Sequence, residues 1–399
     1  MLPQDIKTIN VKGNKPLKIL MLPKWYPNHA DILDGVFIVD HAKAINIFQD
    51  VYVLFVHSHP DLKKGRTISI SSENGYKEMV IYFKSINTPF NILNKLFTGI
   101  RFLSAQFHGY RKISKEWGTP DITHVHVLMR TSVLAIFLKW FRRVPFIISE
   151  HFSGYDPAVE YKMTAARKKC ISFVLSQAAA ITAVSEFLKS NMQLINRNAN
   201  YVVISNAINK NIFYIREKEK RTKKQLIHIS HLDNQTKNFK KIIDVLKMVS
   251  ELRNDFEFHV VGKGIDLEKQ KEYTKELGLL NNIVFFHGYL PKEEIAKIIS
   301  QCDFMVMFSI YDNQPCALLE SFMSGVPVIS SNVGGIKEIV NHENGITIPL
   351  VDVSVLFETI LKFINDTYKY NPLLIRENAL KYSYEEVGKS FSLLYKSIV

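Results

Sequence analysis

The chain has 399 residues, of which 47% are apolar and 22% are charged, and its net charge is +13. This composition excludes a disordered or fibrous protein, and the length fits two domains better than one. The positive charge favours an anionic partner, which could be nucleic acid, a phosphorylated small molecule or an anionic membrane. Because the sequence has no zinc-finger spacing, basic zipper or RNA-binding sheet signature, we predict no nucleic-acid partner.

Cysteine usage and the N-terminus indicate the compartment. Cys170, Cys302 and Cys316 are widely spaced, so they fit neither a metal quartet nor a disulfide framework. The first residues, MLPQDIKTIN, lack the basic start and apolar core of a signal peptide, and the apolar run near Val133 is broken by Lys139. We therefore expect a cytoplasmic protein that does not span a membrane.

The first predicted strand is the apolar run from Leu17 to Leu22, which ends at Pro23. An irregular loop, KWYPNHADILDG, then leads to a helical pattern that begins near Val36. Free amides at such a helix N-terminus bind phosphate, and Gly35 would let the backbone approach it closely. The alternative is that Gly35 only permits a tight turn.

Short apolar runs then alternate with helical patterns through the first half, which indicates a doubly wound parallel sheet. The further strands are predicted at 51–56, 79–83, 122–127, 146–149, 180–184 and 202–205, with helices from Asn91, Thr131, Ala158 and Glu186. Strand ends in such a sheet line the ligand site.

Histidines accompany two of these predicted strands. His151 follows the strand that ends at Ser149, has Glu150 beside it, and could polarise a hydroxyl or a phosphate. A hydrogen-bonded structural histidine is the commoner alternative. His124 and His126 alternate within one strand, so both should face the same side, and no carboxylate lies at metal-ligand spacing. We interpret this second pair as structural.

The stretch from Asn206 to Lys224 begins like a turn and continues as the charge run REKEKRTKK, which indicates a domain boundary near 208–210. The pattern of a second doubly wound sheet follows, and we expect the two domains to face one another across a cleft. In its first loop, HLDNQTKNFKK, Lys237 lies where an ammonium and helix amides would neutralise a phosphate. Gly262 and Gly264 do not form a G-x-G-x-x-G motif, so we assign them to a turn or a base-side wall.

The stretch from Cys302 to Val340 predicts a strand, a polar turn, a helix, a second strand and a Gly334-Gly335 loop that opens another helical pattern. Asp312 and Glu320 then fall at the carboxyl edge of the sheet. Alternatively, Asp312 and Asn313 cap the following helix, and Gly325 forms its C-terminal turn. Both alternatives are compatible with ligand binding.

The C-terminal segment has the capping-box spacing S-x-x-E at Ser383 and then an amphipathic helix. Val387, Phe391, Leu394 and Ile398 lie on one face of this helix. The helix is either an ordinary terminal helix or a crossover that packs on the first domain.

These motifs together resemble the retaining glycosyltransferases of family 4, which have the GT-B fold. Asp312, seven residues and Glu320 match the family's acidic signature, followed by SGVPVI and GGIKEIV. The resemblance extends over nearly the whole chain, through the segments WYP…GVF, SEHFSGY, AVSEFL, VISNAI and QTKNF. It implies two Rossmann-like domains facing across a cleft: an acceptor-side domain at 1–208, joined by the C-terminal helix 383–399, and a donor-binding domain at 209–382.

The resemblance also implies roles for individual residues. Glu320 would hydrogen-bond the ribose hydroxyls, Asp312 would face the donor sugar, Lys237 and the backbone at Gly35 would hold the diphosphate, and His151 would lie near the transferred sugar. The implied catalytic residues are His151, Asp312 and Lys237. The implied donor-binding residues are Gly35, His231, Lys237, Asn313, Gln314, Pro315, Cys316 and Glu320.

The chain departs from the family pattern at two of these positions. Asp312 stands where the family usually has Glu, and His231 stands where it usually has Arg. His231 carries no fixed charge at neutral pH, so phosphate neutralisation would depend on Lys237. No Asp-x-Asp motif is present and the family is generally metal-independent, so we expect neither a metal nor a cofactor.

We therefore predict a retaining hexosyltransferase that moves a sugar from a UDP- or GDP-sugar to a glycan or lipid-linked acceptor in cell-surface polysaccharide or glycolipid synthesis. Basic residues at Arg142-Arg143 and Arg167–Lys169 suggest peripheral contact with the anionic cytoplasmic face of a membrane. Two alternatives remain open, which are an epimerase or hydrolase of the same fold and a non-catalytic subunit that binds nucleotide sugars.

Overall fold

A computed structural model describes residues 15–62, 65–85, 88–157, 159, 163–350 and 352–399. The chain forms two compact units. Unit 1 consists of the chain up to Ala207 together with Tyr384–Val399, and unit 2 is Ile208–Ser383.

Unit 1 alternates strands and helices, as the apolar pattern predicts. Its strands are β1 (Lys18–Pro23), β2 (Asp50–His59), β3 (Arg66–Ser71), β4 (Lys77–Lys84), β5 (Ile122–His126), β6 (Phe146–Glu150), β7 (Ala180–Ala183) and β8 (Tyr201–Val203). Its helices are α1 (Val36–Asn46), α2 (Asn91–Trp117), α3 (Ser132–Arg142), α4 (Ala165–Gln177), α5 (Glu186–Gln193) and, numbered by its place in the whole chain, α13 (Tyr384–Lys396).

The unit 1 sheet has the order β3-β4-β2-β1-β5-β6-β7-β8. All neighbouring strands are parallel except β3 and β4, which pair antiparallel at one edge. Strands β2 to β4 lie on one side of β1, and strands β5 to β8 lie on the other side. The strand order therefore reverses between β1 and β5. This reversal opens a crevice at the carboxyl ends of those two strands.

Apolar side chains cover both faces of this sheet. Helices α2, α3 and α4 contribute to one cluster, whereas α1 and the C-terminal helix α13 contribute to the other. Val387, Phe391 and Leu394 of α13 are buried in the second cluster, and Ile398 packs against it. The predicted crossover onto the first domain is therefore confirmed, because the apolar face of α13 is covered by unit 1.

Unit 2 is a second doubly wound domain. Its strands are β9 (Lys224–Ile229), β10 (Phe256–Val261), β11 (Val284–Gly288), β12 (Phe304–Met307), β13 (Val328–Ser331) and β14 (Gly345–Ile348). Its helices are α6 (Asn234–Lys237), α7 (Phe239–Ser250), α8 (Leu267–Glu276), α9 (Lys292–Gln301), α10 (Cys316–Met323), α11 (Val353–Ile364) and α12 (Pro372–Ala379).

The six strands of unit 2 are parallel and follow the order β11-β10-β9-β12-β13-β14. The order reverses between β9 and β12, so the loops after these two strands border a crevice. Apolar clusters again lie on both faces of the sheet. The predicted architecture of two doubly wound α/β domains is confirmed.

Details differ from the sequence prediction. The segment after Gly334-Gly335 forms one turn of 3-10 helix, Ile336–Glu338, where we predicted a longer helical pattern. The antiparallel strand β3 was not predicted, since its side chains are mostly exposed and carry no continuous apolar run. The helix start predicted at Ala158 and the N-terminal segment MLPQDIKTIN lie outside the described residues. Within the described part of the chain, every helix is too short or too polar to cross a bilayer.

Candidate active site

In unit 2, the strand reversal brings together two loops that are distant in sequence. The loop after β9 contains α6 with Lys237 at its end, and the loop after β12 contains Asp312. The Ile310 amide donates to the Thr236 carbonyl oxygen at 2.8 Å, which joins the two loops directly. The carboxyl edge of the sheet therefore carries both predicted residues, as expected for a doubly wound fold.

Lys237 and Asp312 form an ion pair at this edge. Lys237 Nζ lies 2.6 Å from Asp312 Oδ2, and the two side chains are 19% and 14% exposed. At this exposure the pair is screened by salt less than a surface pair is. The sequence prediction assigned both residues to one site but did not pair them with each other.

The Gly334-Gly335 turn holds the backbone of Asp312 in place. Gly334 has φ +51°, and a Cβ atom there would lie 2.0 Å from the Asp312 carbonyl oxygen. The Gly335 amide donates to the same oxygen at 3.1 Å. Only glycine fits at position 334, because any side chain would push this turn away from the Asp312 loop. This contact between the two loops was not predicted from the sequence, although the Gly334-Gly335 pair is the sequence feature that indicates it.

The other donor-binding residues predicted in this stretch lie in or just before α10. Asn313, Gln314, Pro315 and Glu320 are buried, and Cys316 is half-buried at the first position of the helix. The alternative that Asp312 and Asn313 cap this helix is wrong, because the N-cap residue is Pro315.

Gly325 ends α10 in the way that the sequence predicted. Its φ is +72°, its amide donates to the Phe322 carbonyl, and the Val326 amide donates to the Ser321 carbonyl. These two hydrogen bonds form a Schellman motif. The motif stops the helix one turn after Glu320, whose carbonyl oxygen accepts a hydrogen bond from the Ser324 amide.

His231 is not bonded to the ion pair within the described part of the chain. Its side chain is exposed in the β9–α6 loop, and no hydrogen bond or ion pair among the described residues joins it to Lys237 or Asp312. The structure therefore assembles Lys237 and Asp312 without His231. A role for His231 at a diphosphate stays a prediction.

In unit 1, Gly35 is the residue that begins α1. It is the N-cap with φ +65°, and a Cβ atom there would lie 2.4 Å from the carbonyl carbon and oxygen of Trp25. The tight turn proposed as the alternative is therefore real, and the backbone of the β1–α1 loop packs directly on this glycine. The turn leaves the N-terminus of an eleven-residue helix at the carboxyl edge of the sheet.

His151 follows β6 and lies near the start of α1, with its ring centroid 4.5 Å from that of Phe37. Burial lowers the pKa of His151 well below its usual value, and the neighbouring His41 and His124 lower it further. The imidazole is therefore neutral at pH 7. A neutral imidazole binds a hydroxyl by donating or accepting a hydrogen bond rather than by its charge.

Glu150 fixes the backbone around His151. Its buried carboxylate accepts hydrogen bonds from the amides of Leu128 (2.7 Å), His151 (3.1 Å) and Phe152 (3.2 Å) and from the Tyr155 hydroxyl (3.0 Å). Burial raises the pKa of Glu150, and these hydrogen bonds oppose the rise. From the sequence, Glu150 is only a neighbour of His151, because its four hydrogen-bond donors come together only in the fold.

His124 has the structural role that the sequence analysis gave it. Its Nε2 lies 2.7 Å from Ser149 Oγ, and its Nδ1 lies 2.7 Å from the hydroxyl of Tyr395 in α13. The His124 and His126 rings face the same side, with centroids 4.0 Å apart. His126, however, belongs to a different group, because its ring comes close to His41 and His151.

Family models match both halves of the chain. The model described as "Glycosyltransferase Family 4" matches residues 51–211, and the model described as "Glycosyl transferases group 1" matches residues 211–382. The chain is similar to N-acetyl-alpha-D-glucosaminyl L-malate synthase of Bacillus anthracis, with 24% identity over 267 residues. That alignment covers 62% of this chain and 66% of the relative, slightly less than two thirds of its length.

Solved structures with the same architecture cover nearly the whole chain. HepE from Anabaena in complex with UDP and glucose has a TM-score of 0.70 and 16% identity, and the alignment covers 96% of this chain and 100% of HepE. The apo lipopolysaccharide outer core galactosyltransferase WaaB has a TM-score of 0.64 and 17% identity, with the same two coverages.

The two doubly wound domains, their crossover helix and these neighbours define the GT-B class of fold. The family models then place the chain within that class. The chain belongs to the family 4 glycosyltransferases and is a transferase enzyme.

Proposed function

We propose that this enzyme is a retaining hexosyltransferase whose donor is a UDP- or GDP-sugar and whose acceptor is a glycan or a lipid-linked saccharide. The observation that carries the proposal is the Lys237–Asp312 pair at the strand reversal of unit 2. The pair lies after β9 and β12, at the carboxyl edge where doubly wound sheets generally bind ligands, and this position supports the proposal. The complex of HepE with UDP and glucose supports a nucleotide sugar as the donor.

In this proposal the departing nucleoside diphosphate is stabilised by Lys237. Transfer builds negative charge on the diphosphate, so a positioned ammonium acts where charge develops. Binding of the diphosphate would replace Asp312 as the partner of Lys237 and release the Asp312 carboxylate toward a sugar hydroxyl. Glu320, buried on α10, would accept hydrogen bonds from the ribose hydroxyls. This chemistry uses no metal ion.

The proposed retention of configuration follows the family. No side chain is assigned as a nucleophile, so the acceptor would attack from the side that the diphosphate leaves, and the leaving phosphate would take the acceptor's proton. His151, neutral because burial lowers its pKa, would orient a hydroxyl of the transferred sugar by a hydrogen bond. Glu150 would keep His151 in position through the amide hydrogen bonds described above.

The proposal for the acceptor is based on the exposed side chains of unit 1. The first half of α2 and the residue before it expose six large apolar side chains, which we term the α2 apolar surface: Phe90, Ile92, Leu93, Leu96, Phe97 and Ile100. Ile92 is 81% exposed and Ile100 is 54% exposed, although both lie on a long helix of a folded domain. Exposed apolar patches of this kind mark interaction surfaces.

Basic and aromatic side chains are also exposed on helices α3 and α4 and directly after α3. Trp140, Phe141 and Phe173 are exposed, and so are Arg142 and Arg143. A combination of exposed apolar side chains and basic residues suits the interface of an anionic membrane. We infer that unit 1 contacts such a membrane and that the acceptor is presented there. The similarity to a lipopolysaccharide galactosyltransferase is consistent with a membrane-borne glycan acceptor.

The donor is tested by thermal unfolding with UDP, GDP, UDP-glucose, UDP-galactose, UDP-N-acetylglucosamine and GDP-mannose. A donor at one hundred times its Kd should add about 2.7 kcal/mol to the free energy of unfolding. The stabilising donor is then incubated with glycan and lipid-linked acceptors, and the product anomer is assigned by NMR. No stabilisation by any nucleotide sugar would contradict the donor site, an inverted product would contradict retention, and free sugar without transfer would indicate a hydrolase.

A further inference from the structure

Three histidines of unit 1 converge at the strand reversal between β1 and β5. His41 lies in α1, His126 is the last residue of β5, and His151 follows the adjacent strand β6. One ring nitrogen of each lies within 4.8 Å of those of the other two. The His126 and His151 rings are nearly parallel, with centroids 6.0 Å apart.

The tautomer of His41 leaves a lone pair on a buried ring nitrogen. His41 Nε2 lies 3.2 Å from the Ser205 carbonyl oxygen, which only accepts hydrogen bonds, so Nε2 carries the proton. The other ring nitrogen, Nδ1, is buried and has no hydrogen-bond partner among the described residues. A histidine that donates one N–H to a backbone carbonyl and offers its other nitrogen is the usual arrangement of a metal ligand.

His126 is the second residue that indicates a missing ligand. Its side chain is completely buried, and both of its ring nitrogens have no hydrogen-bond partner within the described part of the chain. Buried polar atoms are nearly always paired, so an imidazole with two unpaired nitrogens needs an explanation. The close approach of His41 and His151 suggests that the missing partner lies between the three rings.

The imidazole nitrogens of these three histidines determine which kind of ion can bind between them. The ligand atoms that this group offers are all imidazole nitrogens. Neutral imidazole is the form that binds metals. Imidazole nitrogen suits Zn²⁺, Co²⁺, Ni²⁺ and Cu²⁺, whereas Mg²⁺ prefers oxygen, which this group lacks.

We propose that His41, His126 and His151 form a binding site for a transition-metal ion of the Zn²⁺ type. Zn–N bonds of about 2.1 Å in tetrahedral geometry place the nitrogens about 3.4 Å apart. Metal binding would therefore shorten the distance between each pair of nitrogens by at most about 1.4 Å from the present limit of 4.8 Å.

Occupancy of this site has a consequence that rests on the proposed function. The metal takes the imidazole that would orient the transferred sugar, so it inhibits transfer reversibly. The transferase itself needs no metal, and chelation restores its activity.

The binding test uses the full-length protein after treatment with EDTA. Titration with Co²⁺, followed by visible absorption, and with Zn²⁺, followed by calorimetry, should show one ion bound per chain. His41→Gln and His126→Asn, tested separately, should each weaken binding at least tenfold. His287→Asn is the matched control, because His287 forms a histidine pair with His259 on unit 2 at 2.9 Å. Mg²⁺ should not bind.

A measurement on the unaltered protein keeps the proposal testable if either variant fails to fold. Addition of Zn²⁺ should shift the NMR signals of three histidine rings and leave the His259–His287 pair unchanged. Absence of saturable Zn²⁺ binding, or equal binding by both variants and the control, would overturn the site. Transfer that is equally fast with Zn²⁺ bound would overturn the inhibition. Failure of the proposed function would appear separately, as a metal-free protein that binds no nucleotide sugar.

Discussion

Lys237 and Asp312 are 75 residues apart in the chain, yet their side chains form an ion pair of 2.6 Å at the carboxyl edge of the unit 2 sheet. The pair means that, without a donor, the cation expected to bind a diphosphate is neutralised by the carboxylate expected to face the sugar. Donor binding would therefore exchange one partner of Lys237 for another.

Lys237→Ala should weaken UDP binding at least tenfold, because a charge-assisted hydrogen bond contributes about 1.5–3 kcal/mol. Asp312→Asn should have the opposite effect on UDP alone and raise its affinity, since Lys237 no longer has a competing anion. The same variant should lower the rate of transfer, because the sugar loses its carboxylate partner. Calorimetric titration with UDP measures the affinities.

The control for this pair is Lys241→Ala. Lys241 also pairs with an aspartate, Asp244, but at 3.6 Å and with half of its own side chain exposed. Its removal should leave UDP affinity unchanged. Weaker UDP binding by Asp312→Asn would contradict the competition between carboxylate and diphosphate.

Replacement of Glu320 should affect donor binding, whereas replacement of His151 should affect kcat. Glu320→Ala should raise the dissociation constant of the donor at least tenfold, because a buried carboxylate would no longer accept the ribose hydroxyls. His151→Ala should leave that constant nearly unchanged and mainly lower kcat, since a contact near the transferred sugar acts in the reaction itself. If Glu320→Ala binds the donor as tightly as the unaltered enzyme, the ribose assignment fails.

A comparison of Gly35→Ala with Gly75→Ala distinguishes the cost of a steric clash from the cost of a left-handed backbone. Both have positive φ, +65° and +84°, but a Cβ atom at Gly35 would meet the Trp25 backbone at 2.4 Å, whereas at Gly75 it would meet nothing within 4 Å. Gly35→Ala should therefore cost about 1–3 kcal/mol more than Gly75→Ala. Urea unfolding of both variants measures the difference. An equal loss of unfolding free energy in both would show that the Trp25 backbone moves aside without an energetic penalty.

We expect the buried histidines to make unit 1 less stable in mild acid. Burial lowers the pKa of His41 to about 4 and that of His124, His126 and His151 well below the ordinary value. Between the folded and unfolded pKa values only the unfolded chain binds these protons, so the free energy of unfolding falls as pH decreases below about 6.5. Each such histidine contributes about 1.4 kcal/mol per pH unit in that window.

Two acids of unit 1 act in the opposite direction. The pKa of Asp34 is raised to about 6 and that of Glu150 is raised by burial, so both favour the folded state as pH falls. Four histidines outnumber them, and we expect lower stability at pH 5.5 than at pH 7 in EDTA. All three tryptophans belong to unit 1, so their fluorescence during urea unfolding reports on this unit. His41→Gln should reduce the pH dependence, and an unchanged slope would contradict its contribution.

The α2 apolar surface should bind anionic vesicles. Replacement of Ile92 and Ile100 by Ser should weaken binding to phosphatidylglycerol vesicles at least tenfold, because burial of each Ile contributes about 1.5–3 kcal/mol. Ile265→Ser is the matched control, since Ile265 is 83% exposed on unit 2. Co-sedimentation measures the binding. Equal binding of all variants, or equal binding to neutral vesicles, would show that this surface does not contact the membrane.

The sequence by itself determined most strands and helices of the two sheets and the strand ends that carry the candidate residues. Alternation of apolar runs and helical patterns records which face of each element is buried, and glycines with positive φ mark the turns. Gly35, His151, Lys237 and Asp312 each follow an apolar run in the sequence, and this position alone predicts that they lie at sheet edges.

Only the tertiary structure decided which of these residues meet. The Lys237–Asp312 pair depends on β9 lying next to β12, and the histidine group depends on α1, β5 and β6 converging. Glu150 likewise finds its donors on segments before and after it in the chain. Local sequence pattern specifies the direction of a side chain, whereas distances between side chains depend on strand order and register, which are set by the packing of the whole domain.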